Sequence, residues 1–233
     1  MLARVLLTVG VATVVAACAA EPEPAAEPMP VAAPAAAPAP AAAPADDAGW
    51  QVRIDESTSA TDPDDTPDIT FEQMGATGFH YVGGPAGTLW IPGNEATGEY
   101  TLAATFTQNV PASHTTFYGL VFGGSNIGEA DQRYLYFQVA QNGTFLIKER
   151  TGDATADLEG GETAHDAVAV PPEGGSAVNA LAVRVAADAV EFVVNGTVVH
   201  TVAREGVFAQ TDGDVGARVN HVLDVTVSGF SIE

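Results

Sequence analysis

The chain has 233 residues, with 30 Asp and Glu against 8 Lys and Arg and a formal net charge of −22. A surface of that sign repels phosphate backbones and anionic headgroups, which excludes nucleic acid as a partner and is consistent with solubility, an uncharged ligand or bound cations, and equally with a salty habitat. The one cysteine, Cys18, has no intramolecular partner with which to form a disulfide.

The first segment, MLARVLLTVGVATVVAA, has a positive charge at Arg4, then an apolar run too short to span a bilayer, then small residues. That is the pattern of a secretory signal over residues 1–17. Val15, Ala16, Ala17 and Cys18 resemble the lipobox of bacterial lipoproteins. The resemblance implies cleavage before Cys18 and acylation of its thiol, so that membrane lipid is a partner, each buried methylene contributing roughly 0.8 kcal/mol. Ala19 rather than Asp follows the cysteine, which in that family favours the outer membrane or cell surface over the inner membrane. The alternative is an ordinary signal peptide cut after Ala20. Residues 18–45 are almost entirely Ala and Pro with a few Glu, the composition of an extended spacer. Residues 46–233 have the length of one domain with a sizeable core.

That domain begins with an acidic run, TDPDDTPD, which brings Asp62, Asp64, Asp65 and Asp68 close together as hard oxygen ligands for calcium. A solvated loop is the competing reading, because Pro63 and Pro67 stiffen the run and no bidentate Glu stands at a motif spacing. Short alternating segments then follow one another: ITFEQM, FHYVG, TLWI, YTLAATFTQ, TFYGLVFGG, YLYFQVAQ, TFLIKER, ALAVRVAA, VEFVVNGTVVHTV, DVGARV and LDVTVSGFSIE. Strands at this spacing predict an all-β sandwich or barrel.

Two Asn-Gly pairs, Asn142-Gly143 and Asn195-Gly196, predict two-residue type I′ hairpins. Such a loop at Asn142 sets Gln141 opposite Thr144, Val139 opposite Leu146, Phe137 opposite Lys148 and Tyr136 opposite Glu149. One face then holds Leu135, Phe137, Val139 and Leu146 as core. The other holds Tyr134, Tyr136, Gln138 and Glu149 beside Phe145 and Ile147, a mixture of rings and polar groups suited to stacking on sugars and binding their hydroxyls. A half-exposed sheet using the β-propensity of tyrosine is the alternative. The second hairpin places Val190, Phe192, Val194 and Val199 in the core, with Glu191 across from His200, either as a general acid/base pair or as an ordinary surface pair.

From TFYGLVFGG to the closing strand, the order of segments resembles the back half of concanavalin A-like jelly-roll domains, most nearly the 3-keto-disaccharide hydrolase-like family. Leu135 to Val139 stand for that family's Tyr-Glu-x-Gln-Ile run. Val215, Gly216, Ala217 and His221, followed by Val225, Val227 and Ile232, stand for its closing motif. The resemblance implies a two-sheet antiparallel sandwich with Gln138 and His221 on the concave face. Tyr136 stands where the family has Glu, so a carboxylate is missing from the matching position.

Glu129-Ala130-Asp131 supplies only half of a laminarinase-type Glu-x-Asp-x-x-Glu strand, and the histidines lack zinc-ligand spacing. The resulting expectation is a lipid-anchored, extracytoplasmic β-sandwich that binds a neutral oligo- or polysaccharide through Tyr134, Tyr136, Gln138, Glu149 and His221, with Trp90 and Tyr118 as stacking platforms and no cofactor other than calcium. Two alternatives stand beside it: a glycosidic-bond-cleaving enzyme using Glu149 or Glu191 as acid/base, and a structural module of the cell envelope.

Overall fold

A computed structural model describes residues 49–55 and 69–233. Cys18, the signal and spacer segments, and Asp62, Asp64, Asp65 and Asp68 lie outside the described residues. The regular structure of the described chain is strand, apart from one short 3-10 turn at Gly206–Ala209. In chain order the strands are β1 (Gln51–Ile54), β2 (Ile69–Gln73), β3 (Phe79–Gly83), β4 (Gly87–Ala96), β5 (Tyr100–Val110), β6 (Phe117–Ser125) and β7 (Arg133–Ala140). They continue with β8 (Thr144–Thr151), β9 (Ala154–Ala164), β10 (Ala177–Val185), β11 (Ala189–Val194), β12 (Thr197–Ala203), β13 (Gly213–Val219) and β14 (Leu223–Ile232). Among the described residues no helix is long and apolar enough to cross a membrane.

The strands form two antiparallel sheets, β1-β4-β13-β6-β7-β8-β9 and β12-β11-β10-β5-β14-β3-β2, and the fold is a concanavalin A-like jelly-roll sandwich. In the second sheet one residue in two faces inward: Leu102, Ala104 and Phe106 of β5, Leu181 and Val183 of β10, and Val225 and Val227 of β14 meet the first sheet across the main core. The first sheet differs, because β7 is buried on both sides. Its Leu135, Phe137 and Val139 join the main core, whereas Tyr134 and Tyr136 belong to a second cluster with Trp90, Val121, Ile127 and Leu146 on the outer face.

Two strands are not among the segments expected from the sequence. β1 is short, and β9 is polar and exposed along nearly its whole length, with an irregular stretch at 159–162 that swings out opposite Leu146. Both are edges, where one strand neighbour suffices and alternation is weakest.

The second Asn-Gly hairpin forms as expected. Asn195 and Gly196 have φ of 50° and 81°, and Val194 pairs with Thr197. A bulge after Phe192 then shifts the register, so His200 lies opposite Phe192, and Glu191 opposite Thr201 rather than His200. The first hairpin corrects the expectation outright. Only Gly143 has positive φ (84°), and its N–H donates to the Ala140 carbonyl at 3.1 Å, which makes a three-residue loop of Gln141, Asn142 and Gly143. Val139 consequently pairs with Phe145, Phe137 with Ile147, Tyr136 with Lys148 and Leu135 with Glu149. A slip of one residue reverses every side chain of β8. Phe145, Ile147 and Glu149 turn to the core side, and Leu146, Lys148 and Arg150 to the side of the tyrosines.

Candidate functional site

The outer face of the first sheet is built from lateral rows. One row runs Gln51, Trp90, Gly216, Val121, Tyr136, Lys148, Asp157, and the next runs Arg53, Thr88, Arg218, Gly119, Gln138, Leu146. Glycine is required in the middle of each. A Cβ on Gly216 would lie 2.2 Å from the Leu89 carbonyl oxygen, and one on Gly119 would lie 2.0 Å from that of Phe137. Backbones that approach so closely leave no room for a side chain.

Arg218 is the centre of this face. Its guanidinium donates to Thr88 Oγ1 and to the Tyr134 hydroxyl, each at 3.0 Å, and pairs with Asp55 Oδ2. Arg150 Nη1 donates to the same Asp55 oxygen at 2.7 Å. The Tyr134 hydroxyl and Thr88 Oγ1 are 2.8 Å apart. Burial works against the charge of Arg218, but Tyr134, Asp55 and Tyr136 outweigh it and hold its pKa above the ordinary arginine range. The guanidinium carbon also sits 5.4 Å from the centre of the Tyr136 ring, in cation–π range. Desolvation pushes the Tyr136 phenol up to about 12, partly opposed by Arg218 and by a hydrogen bond with Thr155.

Beside this network opens a cleft of about 270 Å³, lined by Tyr136, Gln138, Lys148, Thr155, Arg218 and His221, with Phe117, Leu146 and Asn220 completing its wall. Gln138 is fixed by its own amide, whose Nε2 donates to the Arg218 carbonyl at 3.2 Å and to Asn220 Oδ1 at 3.4 Å. Its Oε1 is left to accept from a ligand. Lys148 Nζ reaches Asp157 at 3.0 Å across to β9. His221 meets the His114 ring edge-on, with centroids 5.1 Å apart.

Of the residues expected to bind sugar, Tyr136, Gln138 and His221 line the cleft together, although Tyr136 is only 3% and Gln138 1% exposed. Tyr134 lies on the same face but is fully buried, and acts beneath the cleft by positioning Arg218. Trp90 is in the same row as Tyr136, with Gly128 packed against its ring, and does not line the cleft. Tyr118 is corrected: it is buried in the main core, where its hydroxyl accepts from Asn179 Nδ2 at 3.0 Å, so it is not a stacking platform. Glu149 is corrected too, because the register turns it to the core side, where it pairs with Arg133 at 3.1 Å. Glu191 lies on the other sheet, paired with Arg184 at 3.5 Å, so neither carboxylate nominated as acid/base reaches the cleft. Glu129 and Asp131 lie in a loop, as expected. Among the described residues no group of three or more His, Cys, Asp or Glu is placed to hold a metal ion.

Sequence reasoning missed Arg218, Lys148, Asn220 and Thr155. Lys148 carried a signal, as the only lysine in the chain, but the two-residue turn placed it on the wrong side. Arg218 and Asp55 are 163 positions apart, and nothing local couples them.

No family model and no curated protein matches the chain. Solved structures do. The carbohydrate binding module CBM66 from Bacillus subtilis superposes with a TM-score of 0.53 at 11% identity, over 80% of this chain and 96% of that one. A Bacillus subtilis protein of unknown function with a galectin-like fold matches at a TM-score of 0.49 and 13% identity, over 78% and 98%. Sheep galectin-11 matches at 0.39 and 14%, over 57% and 92%. The first of these likenesses establishes the jelly-roll fold and nothing finer.

Proposed function

We propose that the protein is a carbohydrate-binding β-sandwich, held at the cell envelope by acylated Cys18, that receives a sugar ring in the cleft beside Tyr136. The observation that carries this reading is the convergence of an aromatic ring, a fixed amide and hydrogen-bonding cations on one open cleft. Such a cleft offers an apolar wall, formed by Phe117 and Leu146 beside the rim of Tyr136, and directional groups for hydroxyls. At about 270 Å³ it is near the small end of ligand pockets, which suits one sugar residue. The fold shared with a structure described as a carbohydrate binding module supports the same reading. Net charge alone is consistent with an uncharged ligand, whereas the lining itself holds Lys148, Arg218 and His221 and no carboxylate.

A glycan array tests the reading, with the parent beside Thr155→Trp and Tyr136→Ala. Thr155 is exposed on the edge strand at the cleft wall, so the indole fills the space without disturbing the core. Retention by the parent and its loss in Thr155→Trp at an unchanged melting temperature is the expected result. No glycan retained by the parent, or equal retention by both variants, would remove the proposal. The anchor is tested separately: the full chain expressed with its signal should label with a palmitate analogue, and Cys18→Ser should not.

A further inference from the structure

We propose that the sugar taken in this cleft is acidic, with its carboxylate seated between Lys148 and Arg218. The inference rests on the carbohydrate reading above and adds the chemical class of the ligand. Its basis is a local reversal of charge. The chain carries 30 acidic residues against 8 basic ones, yet the ionisable lining of the cleft is Lys148, Arg218, His221 and the phenol of Tyr136, with no Asp or Glu.

Lys148 and Arg218 each have a carboxylate partner, and neither partner lines the cleft. Asp55 Oδ2 is shared by Arg218 and Arg150, and Asp153 by Arg150 at 3.6 Å and Arg53 at 3.4 Å, so that three arginines face two carboxylates and one net positive charge remains in the network beneath the cleft. Arg218 cannot swing away to find another anion, because Thr88, Tyr134 and Asp55 fix its guanidinium against the Tyr136 ring. Its buried Nε has no hydrogen-bond partner. The counter-ion of Lys148, Asp157, is 61% exposed on the edge strand, so solvent screens the carboxylate side of a pair whose lysine is 24% exposed. An incoming carboxylate can exchange with it at little cost. The negative charge spread over the rest of the surface is screened beyond about 8 Å at physiological salt, whereas groups in contact within the cleft are not. Gln138 Oε1 is left as an acceptor for a hydroxyl of the same ring.

The experiment is calorimetric titration of the parent, Lys148→Met and Asp157→Asn with matched methyl glycosides: glucoside and glucuronide, galactoside and galacturonide, mannoside and mannuronide. At least one uronide should bind the parent 10-fold or more tightly than its neutral counterpart at low salt, with the ratio shrinking as salt is raised. Lys148→Met should bring the ratio close to one, and Asp157→Asn should increase it. A neutral glycoside that binds as tightly as its uronide, or a ratio that survives Lys148→Met, would overturn the acidic-sugar inference and leave the carbohydrate reading standing. Failure of every glycoside to bind the parent would overturn both.

Discussion

The two hairpins built on Asn-Gly-Thr share a tripeptide and differ in everything it was expected to decide. At Asn195 both central residues adopt positive φ and the loop has two residues. At Asn142 only the glycine does, and the loop has three. The difference lies in what each loop is tied to. Gln141 is locked by its amide: Nε2 donates to the carbonyls of Ala112 and His114, each at 2.9 Å, and Oε1 accepts from the Ala112 N–H at 3.0 Å and from Gln108 Nε2 at 2.6 Å. Those bonds hold Gln141 in the loop rather than in the ladder. Asn195 instead accepts from the Ala180 N–H at 2.8 Å and donates to the Ala167 carbonyl at 2.8 Å and to Asn179 Oδ1 at 2.9 Å, which holds the asparagine itself in the left-handed region. A tripeptide permits two turns, and a distant segment selects one of them.

The comparison breaks most severely at Gln141. Gln141→Leu removes the partners of the Ala112 N–H and carbonyl and of the Gln108 amide, and should cost about 3 kcal/mol in urea denaturation, since each buried polar group left unpaired costs about 1–3 kcal/mol. A loss under 1 kcal/mol would mean that the turn is chosen locally.

The strand placed by the first hairpin can be followed by alkaline titration, because the second hairpin carries no tyrosine. The Tyr136 phenol is raised from 10.0 to about 12, so the folded state keeps a proton that the unfolded state loses. This contribution is complete below pH 10 and is lost as pH rises towards 12. Tyr136→Phe should therefore lessen the fall in stability over that interval by about 2 kcal/mol. An identical fall in parent and variant would place the ring in water.

Asn195→Ala should cost about 1.5 kcal/mol, because the variant loses the side-chain bonds and keeps a left-handed backbone that alanine adopts at a penalty of about 1–2 kcal/mol. The matching Asn142→Ala should cost no more than about 0.5 kcal/mol, because that residue does not have positive φ and its bonds to Glu162 and Thr144 are exposed. The two glycines sharpen the contrast. Gly143 and Gly196 have φ of 84° and 81°, so Gly→Ala at either should cost about 1–2 kcal/mol, Gly143→Ala the more because its Cβ would lie 3.2 Å from Val170 Cγ2 whereas nothing is within 4 Å at Gly196. Equal asparagine costs would contradict the two turn types.

What the sequence made legible follows from the same physics. Strands such as β5, β10 and β14 bury one face, so their alternation announces both strand and core. β7 is buried on both faces, and RYLYFQVA still separates into an aliphatic-aromatic side and a tyrosine-amide side, which sets Tyr136 and Gln138 on one face. The register of β8 was not legible, because it depends on bonds from Gln141 to residues 112–114. Glu149 was assigned to the wrong side for that reason, and Lys148 was overlooked. Tyr118 misled differently: its polar tip is satisfied deep in the core by Asn179, a pairing of residues 61 positions apart that no local pattern reveals. β9 escaped because Ala, Gly, Asp and Glu make a poor strand except at an edge.

That edge has a consequence for molecules crowded side by side. A terminal strand offers unpaired backbone groups to any neighbour, and two copies meeting there would have to bring Asp157, Glu159 and Glu162 of one against the same carboxylates of the other. The stretch at 159–162 also leaves no flat, continuous template to extend. Open-ended fibre growth from this rim is thereby discouraged, even at the high local density that tethering to a surface would create.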